Sequence, residues 1–309
     1  MTIASLGRRH GLATLLVGLA LGAALTALPA VARTLDTAYG KVTIDGQPER
    51  VVTLYEGALD SALTAGVTPL AAVTTRGGDG VARYLQDRVG DIAIVSTSRE
   101  LNLEAVVAQR PDIILASSRL PEEQYRLLSQ IAPTFVPDVE PFTSDSWKQE
   151  ARFYAHALGR VAPVDATIDA IEQRAAKLRS NPATQASASL VRWMPQGALV
   201  MSPMIFSSTL LEASGFAVSG GDIVKSGRPH SDPLSLENLS HIDSDWLFLA
   251  TLNDDGDEAL EAAKASPAFA RLDVVERGQV VALDGQLWTS ASGPLAAEAI
   301  LDDIEAAIQ

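Results

Sequence analysis

The sequence of 309 residues contains no cysteine. This absence excludes disulfide bonds and thiolate metal sites, and it also excludes a lipid-modified cysteine at an export-signal cleavage point. Histidine is scarce as well, with four residues, and only His230 falls in a polar loop between predicted elements. A zinc or manganese site requires several converging His or carboxylate ligands. We therefore predict no metal site and no resident cofactor.

Positive charge is in short supply, because 24 Lys and Arg face 38 Asp and Glu for a net charge of −14. A surface this acidic repels nucleic acid and anionic lipid, so we expect neither as a partner. Any anionic ligand must be attracted by a local group of arginines. Catalytic signatures are also missing, since no G-x-S-x-G, H-E-x-x-H or P-loop pattern occurs. The expectation is a protein that is not an enzyme.

Only one long apolar run occurs, and it lies at the amino terminus. An Arg-Arg pair precedes an uncharged stretch over residues 11–28, which is followed by an Ala-Val-Ala tripeptide. This pattern predicts a secretory signal peptide over residues 1–32 with an A-x-A cleavage site. The paired arginines leave twin-arginine export as the alternative to general secretion. We expect the mature chain to begin near Arg33 and to be soluble in a periplasm, without a lipid anchor.

Along the rest of the chain, short apolar runs rich in valine and isoleucine alternate with helix-patterned segments. Such alternation predicts an α/β architecture with mostly parallel sheets. About 277 residues suffice for two domains that each bury a core. We predict two Rossmann-like α/β lobes, over residues 33–143 and 181–309, on either side of a segment at 144–180.

Segment 144–180 has a pattern of its own, with apolar or small residues at alternating spacings of three and four. They are Trp147, Ala151, Tyr154, Leu158, Val161, Val164, Ile168, Ile171, Ala175 and Leu178. The phase persists through Gly159 and Pro163, which predicts one long interdomain helix with a kink at that pair. The alternative is two helices joined by a turn, with Asp165 as N-cap of the second. A packed helix between the lobes predicts little lobe rotation, with flexibility concentrated at residues 159–163.

Residues just past each predicted strand are the candidates for a binding site, because ligands bind at the carboxyl ends of strands in open α/β sheets. In the first lobe these are Tyr55, Glu56, Arg76, Ser98, Arg99, Ser118 and Arg119. The three arginines suit bidentate pairing with a carboxylate or another multiply anionic group. The alternative for each is a solvated loop residue paired with Asp79, Asp91 or Glu100.

The second lobe contributes a set with two tryptophans, namely Trp193, Met201, Arg228, His230 and Trp288. Tryptophans past strand ends can form walls against an organic ligand, and methionines suit an adaptable apolar surface. The alternative for each tryptophan is packing in the core or between the lobes.

Several stretches together resemble the periplasmic binding proteins of ABC importers that carry ferric siderophores, ferric dicitrate or vitamin B12. They cover the mature chain in the expected order, at residues 50–54, 60–70, 102–104, 110–114, 131–133, 283–288 and 293–295. Residues 116–119 are most similar to the ferric dicitrate branch. The resemblance implies two α/β lobes joined by one long helix, with a shallow cleft between them.

The resemblance further implies a non-catalytic, monomeric receptor that captures a ferric siderophore, with a carboxylate or citrate type favoured, and delivers it to an inner-membrane ABC permease. The iron would arrive already coordinated by its chelator, as ligand and not as cofactor. The family docks on its permease through one acidic residue on each lobe, for which Glu122, Glu123 and Glu237 are the candidates. A corrinoid or haem receptor of the same family, or a chelatase-like enzyme with His230 as base, is the alternative.

Overall fold

A computed structural model describes residue 2, residues 32–97 and residues 100–309. Apart from residues 2 and 32, the predicted signal peptide lies outside the described residues, and so do Ser98 and Arg99. Within the described ranges, no helix is both long and apolar enough to cross a membrane.

The first lobe follows a hairpin of β1 (Arg33–Thr37) and β2 (Gly40–Ile44). Its strands are β3 (Val51–Thr53), β4 (Ala71–Val73), β5 (Ala93–Ser96), β6 (Ile113–Leu115) and β7 (Thr134–Phe135), and its helices are α1 (Glu56–Thr64), α2 (Arg83–Val89), α3 (Leu103–Gln109) and α4 (Glu122–Leu128). The strands form a parallel sheet in the order β5-β4-β3-β6-β7. Val51 and Ile113 join one hydrophobic cluster while Val52 and Ile114 join another. Successive side chains alternate between the two covered faces, as the apolar runs predict.

Segment 144–180 forms two helices, α5 (Ser146–Leu158) and α6 (Val161–Arg179), so the prediction of one continuous interdomain helix is wrong. Helix α5 ends because Gly159 is left-handed, with φ of 66°. Arg33 donates a hydrogen bond to the carbonyl of Ala157, and Gln47 donates one to the carbonyl of Leu158. These bonds satisfy two of the carbonyls that the end of a helix leaves without partners.

The two helices fold back on each other as an antiparallel hairpin. Lys148 pairs with Glu172 at 2.5 Å, and Arg152 pairs with Asp165 at 2.8 Å. The alternative of two helices is therefore the correct one, although Asp165 pairs with α5 and the N-cap position of α6 belongs to Arg160. Helix α5 packs on α1 and belongs to the first lobe, which leaves α6 to lead into the second.

The second lobe contains β8 (Ser187–Met194), β9 (Gly197–Val200), β10 (Ala217–Val218), β11 (Trp246–Thr251) and β12 (Val280–Asp284). Its helices are α7 (Phe206–Ala213), α8 (Asp254–Lys264), α9 (Pro267–Ala270), α10 (Asp273–Glu276), α11 (Gly285–Ser290) and α12 (Pro294–Ala307), with 3-10 helices at Pro182–Thr184 and Leu236–Ile242. Strands β10-β8-β11-β12 pair in parallel, and β9 pairs antiparallel with the end of β8. The predicted class, two α/β lobes with mostly parallel sheets, is confirmed.

The largest hydrophobic cluster runs through both lobes. It includes Ile113 of the first sheet, Tyr154 of α5, Ile168 of α6 and Phe248 of the second sheet. The carboxyl-terminal helix α12 packs on α1 of the first lobe as well as on α6 and α7. A helical layer thus connects one face of each sheet through a shared hydrophobic cluster.

Candidate ligand-binding cleft

A cavity of about 650 Å³ lies where the carboxyl ends of strands from both sheets face each other. In the first lobe it is reached by the segments that follow β3, β4 and β6, which are neighbours around the switch point of the sheet. The predicted residues that line it are Tyr55, Glu56, Arg76, Ser118, Arg119, Met201, His230 and Trp288. The structure thus brings most of the predicted set together at the junction of the lobes.

A buried carboxyl group, Glu150 of α5, organises part of the first-lobe wall. Ser118 donates a hydrogen bond to its Oε1 at 2.8 Å, and Tyr55 donates one to its Oε2 at 3.4 Å. Burial raises the pKa of Glu150, against the opposing effects of these hydrogen bonds and of the Arg119 charge. Burial and the nearby Glu150 charge also raise the pKa of Tyr55. The network fixes two hydroxyl groups at the cavity surface.

Glu56 is the first residue of α1 and lines the cavity. Thr75 donates a hydrogen bond to its Oε2 at 2.7 Å, whereas its Oε1 has no hydrogen-bond partner among the described residues. Burial raises the pKa of Glu56 to about 7; the Thr75 bond opposes the rise, and the charges of Asp60 and Asp284 add to it. Near neutral pH, Glu56 therefore populates both protonation states and can donate or accept a hydrogen bond.

Arg119 lies over the ring of Phe142, with its Cζ 4.8 Å from the ring centroid. Both residues line the cavity. Phe142 has a left-handed backbone with φ of 61°, which is uncommon for a bulky residue and typical of functional sites. A guanidinium held over a ring by cation–π attraction can still offer N–H donors to an anionic group.

Arg192 of β8 lines the cavity although it is not among the residues predicted from the sequence. It is 3% exposed, its Nη1 donates to the Thr289 hydroxyl at 3.4 Å, and its Nε has no partner among the described residues. Burial lowers the pKa of Arg192 to about 10, and the positive charge of Arg76 contributes to the decrease. Burying a guanidinium without an acidic partner costs free energy, and a bound anion would offset that cost by pairing with its charge.

Arg192 and Glu150 are not among the residues predicted from the sequence, but each has a signal there. Arg192 is the only charged residue in the apolar strand Ser187–Met194. Glu150 lies one position before Ala151 on the buried stripe of the helix. A lone ionisable group in an otherwise apolar buried pattern calls for a partner, and in both cases the group faces the cavity.

Two predicted residues do not reach the cavity. Trp193 follows Arg192 on β8, so its side chain points to the other face of the sheet, where it packs edge-on against Phe269. Arg228 lies at the surface and pairs with Asp232 at 2.9 Å. The structure therefore does not place either residue on the cavity wall: Trp193 is a core residue and Arg228 belongs to a surface ion pair.

Trp288 borders the cavity, but its indole ring is a core group. The ring stacks on Phe248 with centroids 5.5 Å apart, and its Nε1 donates to Asp303 at 2.7 Å. Its backbone carbonyl accepts a hydrogen bond from Ser207. The packing alternative applies to this ring, while the residues that follow it, at 289–292, form the wall itself.

The remaining predicted residues lie outside the cavity or outside the described residues. Ser98 and Arg99 lie outside the described residues. Glu122 and Glu123 occupy the exposed first turn of α4, where Glu122 pairs with Arg126 at 2.6 Å. Glu237 is exposed on the 3-10 helix Leu236–Ile242 of the other lobe.

Within the described part of the chain, no group of three or more His, Cys, Asp or Glu side chains is placed to hold a metal ion. Among the described residues, the charged side chains on the cavity wall are Arg76, Arg119, Arg192, Glu56, Glu100 and Glu150. The pKa of about 7 at Glu56 reduces the negative charge among them near neutral pH, and burial disfavours the charged form of Glu150. Positive charge from the arginines therefore predominates on the cavity wall near neutral pH, and this favours an anionic ligand.

Two parallel-sheet lobes that enclose a polar, arginine-bearing cavity at their strand ends define a class of ligand-binding proteins. Residues 51–287 match the family described as periplasmic binding protein, and the chain belongs to this family. The resemblance noted in the sequence is thereby confirmed.

Relatives and solved structures agree with this assignment. The chain is 28% identical over 287 residues to a "probable siderophore-binding lipoprotein" of Bacillus subtilis, with 88% of this chain and 86% of the relative covered. It is 26% identical over 273 residues to an Fe(3+)-citrate-binding protein of the same organism, with 88% and 84% covered. Staphylococcus aureus SirA, solved in complex with staphyloferrin B, matches with a TM-score of 0.75 and 26% identity over 89% of this chain and 98% of that one.

Proposed function

We propose that this protein captures a ferric chelate of the carboxylate type in the periplasm and delivers it to an ABC importer of the inner membrane. The observation that carries the proposal is Arg192, a guanidinium buried in the cavity wall with no acidic hydrogen-bond partner in the described part of the chain. A ligand carboxylate would supply the missing charge. Arg76 and Arg119 line the same cavity and would neutralise further carboxylates.

A preformed chelate fits the donor set better than a free metal ion. The cavity presents guanidinium and hydroxyl donors, from Arg119, Arg192, Tyr55 and Ser118 among others, whereas a ferric ion needs anionic oxygen ligands. The iron would therefore be cargo already coordinated by its chelator. Two relatives are named for binding a siderophore and Fe(3+)-citrate, and these ligands support the same class.

The alternatives have less support. A corrinoid or haem requires broad aromatic walls, but the rings of Trp193 and Trp288, the two predicted walls, pack in the core. Of the rings that do line the cavity, Phe142 lies under Arg119 and Trp147 packs edge-on against Phe206. A chelatase-like enzyme would want a base at the cleft, and His230 lines the cavity with its Nδ1 2.8 Å from the carbonyl of Ser231. One histidine without an orienting carboxylate is weak support for catalysis, so we propose binding without turnover.

Titration of intrinsic tryptophan fluorescence with ferric citrate tests the proposal, beside metal-free citrate, haem and cobalamin. We expect saturable binding of the ferric chelate by the wild-type protein. The Arg192→Met variant keeps the volume of the side chain and removes its charge, so its affinity should fall by about a hundredfold or more while the fold is retained.

Arg126→Met is the matched control, because Arg126 forms an exposed ion pair on α4. Its affinity should equal that of the wild type. Binding of cobalamin alone, or of no ferric chelate, would refute the proposed function. Equal affinities of wild type and Arg192→Met would refute the role of Arg192.

Location and docking are part of the same proposal. The cysteine-free sequence supports a receptor without a lipid anchor, and mass spectrometry of the periplasmic protein should give an amino terminus at or near Arg33. We propose that Glu122 or Glu123 on one lobe and Glu237 on the other contact the permease. Reversing the charge at both lobes should abolish uptake of the chelate while leaving its affinity for the isolated protein unchanged.

A further inference from the structure

One wall of the cavity is a segment of the second lobe that is bonded to the first lobe at both ends. We call residues 284–296 the strap; they run from the last residue of β12 through α11 to the first turn of α12. Its central residues, at 288–292, line the cavity. The contacts of the strap with the first lobe therefore bear directly on the shape of the site.

The first attachment is Arg83, the first residue of α2. Its Nε and Nη2 donate to the two carboxylate oxygens of Asp284 at 2.9 Å and 2.7 Å, in a bidentate pair. Its backbone N–H donates to Oε1 of the buried Gln286 at 3.2 Å. Asp284 also caps α11 by accepting from the N–H of Gln286. One arginine of the first lobe thus holds the start of the strap.

The second attachment is Asp60, a fully buried carboxyl group of α1. It accepts hydrogen bonds from the N–H groups of Leu295 and Ala296, both at 2.9 Å, and so caps the amino terminus of α12. The Tyr84 hydroxyl donates to the same carboxyl group at 3.1 Å. Gly293, with φ of 127°, allows the backbone to come as close to Asp60 as this cap requires. A Cβ on residue 293 would lie 2.4 Å from Cγ of Asp60.

Between the two attachments, the strap meets cavity residues of both lobes. Ser292 and Tyr55 of the first lobe both line the cavity, and the Ser292 side chain lies close enough to lower the pKa of the Tyr55 hydroxyl, against the larger effect of burial. Thr289 accepts the hydrogen bond from Arg192 of the second. A shift of the strap would therefore move the polar partners of two cavity side chains at once.

From this arrangement we propose that Arg83 and Asp60 are positioning residues for ligand binding: they hold the strap across the lobe boundary and thereby fix the orientation of Tyr55 and Arg192. Neither Arg83 nor Asp60 lines the cavity. The inference rests on the proposed function, because it concerns the site at which the chelate would bind. A purely structural role would alter stability and leave affinity unchanged.

Arg83→Ala tests the inference with little risk to folding, because Arg83 is half exposed. Two quantities are measured: amide hydrogen exchange of peptides from residues 284–296 in the ligand-free protein, and affinity for ferric citrate. We expect faster exchange in the strap, unchanged exchange in α6 and about fivefold weaker affinity. Arg83→Lys, which retains the charge but not the planar bidentate geometry, should recover part of the affinity. Arg126→Ala removes a comparable exposed ion pair outside the strap and should change neither quantity.

Asp60→Asn is the second variant, since it keeps the shape of the cap and removes its charge. We expect the fastest exchange at residues 293–296 and a similar loss of affinity. Unchanged strap exchange in both variants, or faster exchange with wild-type affinity, would overturn the inference alone. If the wild type binds no ferric chelate, the proposed function fails and this inference falls with it.

Discussion

Glu56 combines a position at the ligand cavity with an environment that penalises its charge. Burial and the neighbouring carboxylates Asp60 and Asp284 favour the protonated form, and one hydrogen bond from Thr75 does not offset them. Asp60, one turn further along α1, has its pKa raised to about 7 by burial as well, despite two backbone hydrogen bonds. Helix α1 therefore carries two carboxyl groups that bind protons more tightly in the folded protein than in the unfolded chain.

This shift gives a pH dependence of defined sign. In the unfolded chain a glutamate titrates near about pH 4.3, whereas the folded pKa of Glu56 is about 7. The folded state binds the proton more tightly, so the contribution to stability is full below pH 4 and is lost as pH rises through 7. Relative to Glu56→Gln, the wild type should lose about 2 kcal/mol of unfolding free energy between about pH 4 and 7.5.

Urea denaturation of both proteins at a series of pH values measures this difference. Asp60 contributes with the same sign in both proteins, so only the difference between the two curves reports on Glu56. Parallel curves from pH 4 to 7.5 would contradict the prediction.

For individual residues, the sequence predicts some members of the cavity wall and not others, for a physical reason. Residues such as Arg119 follow a strand in the chain, and the carboxyl edge of a parallel sheet gathers them whatever the second lobe does. Arg192 and Glu150 lie within regular elements, and they become cavity residues only because the lobes pack with those faces towards each other. Trp193 shows the converse, since the alternation of a strand sends it to the core.

The helical hairpin of α5 and α6 shows how one glycine can set the course of the chain. Gly159 is left-handed, and a Cβ on it would lie 3.0 Å from Cζ of Arg33 and 3.2 Å from Oε1 of Gln47. Those two side chains satisfy the last carbonyls of α5. The turn is therefore fixed by its backbone conformation and by its packing on the amino-terminal hairpin.

Gly159→Ala should lower the free energy of unfolding by about 1–2 kcal/mol, because alanine must adopt a left-handed backbone and displace Arg33. Gly221→Ala is the matched control, since nothing lies within 4 Å of a Cβ there and its φ is ordinary; we expect a change of less than about 0.5 kcal/mol. Chemical denaturation of both variants measures the effect. Equal stabilities would contradict the packing of this turn.

The sequence could not separate a kinked helix from this hairpin by periodicity. Leu158 and Val161 lie on opposite sides of the turn at a spacing of three, so the apolar phase passes through it unchanged. Pro163 is compatible with either reading, because it lies in the first turn of α6, where backbone N–H groups have no partner within the helix. The informative residues, Arg33 and Gln47, are more than a hundred positions away in the sequence.

The connection between the lobes has several parts instead of one long interdomain helix. Helix α6 passes from one lobe to the other, a single hydrophobic cluster includes strands of both sheets, and the strap is bonded to the first lobe by Arg83 and Asp60. The expected flexibility at residues 159–163 does not fit this picture, because that turn lies within a hairpin whose first helix packs on the first lobe. Any hinge must instead deform α6 or break the strap.

We therefore still predict little lobe rotation, but because of these several connections and not because of one interdomain helix. The absence of cysteine makes the test direct, because spin labels attach only at introduced positions. Gln130→Cys and Glu258→Cys place one label on an exposed site of each lobe. Pulsed dipolar spectroscopy with and without ferric citrate should show a mean distance that changes by less than about 2 Å. A change several times larger would show that the lobes rotate on binding, and combining the labels with Arg83→Ala would then reveal whether this attachment restrains the movement.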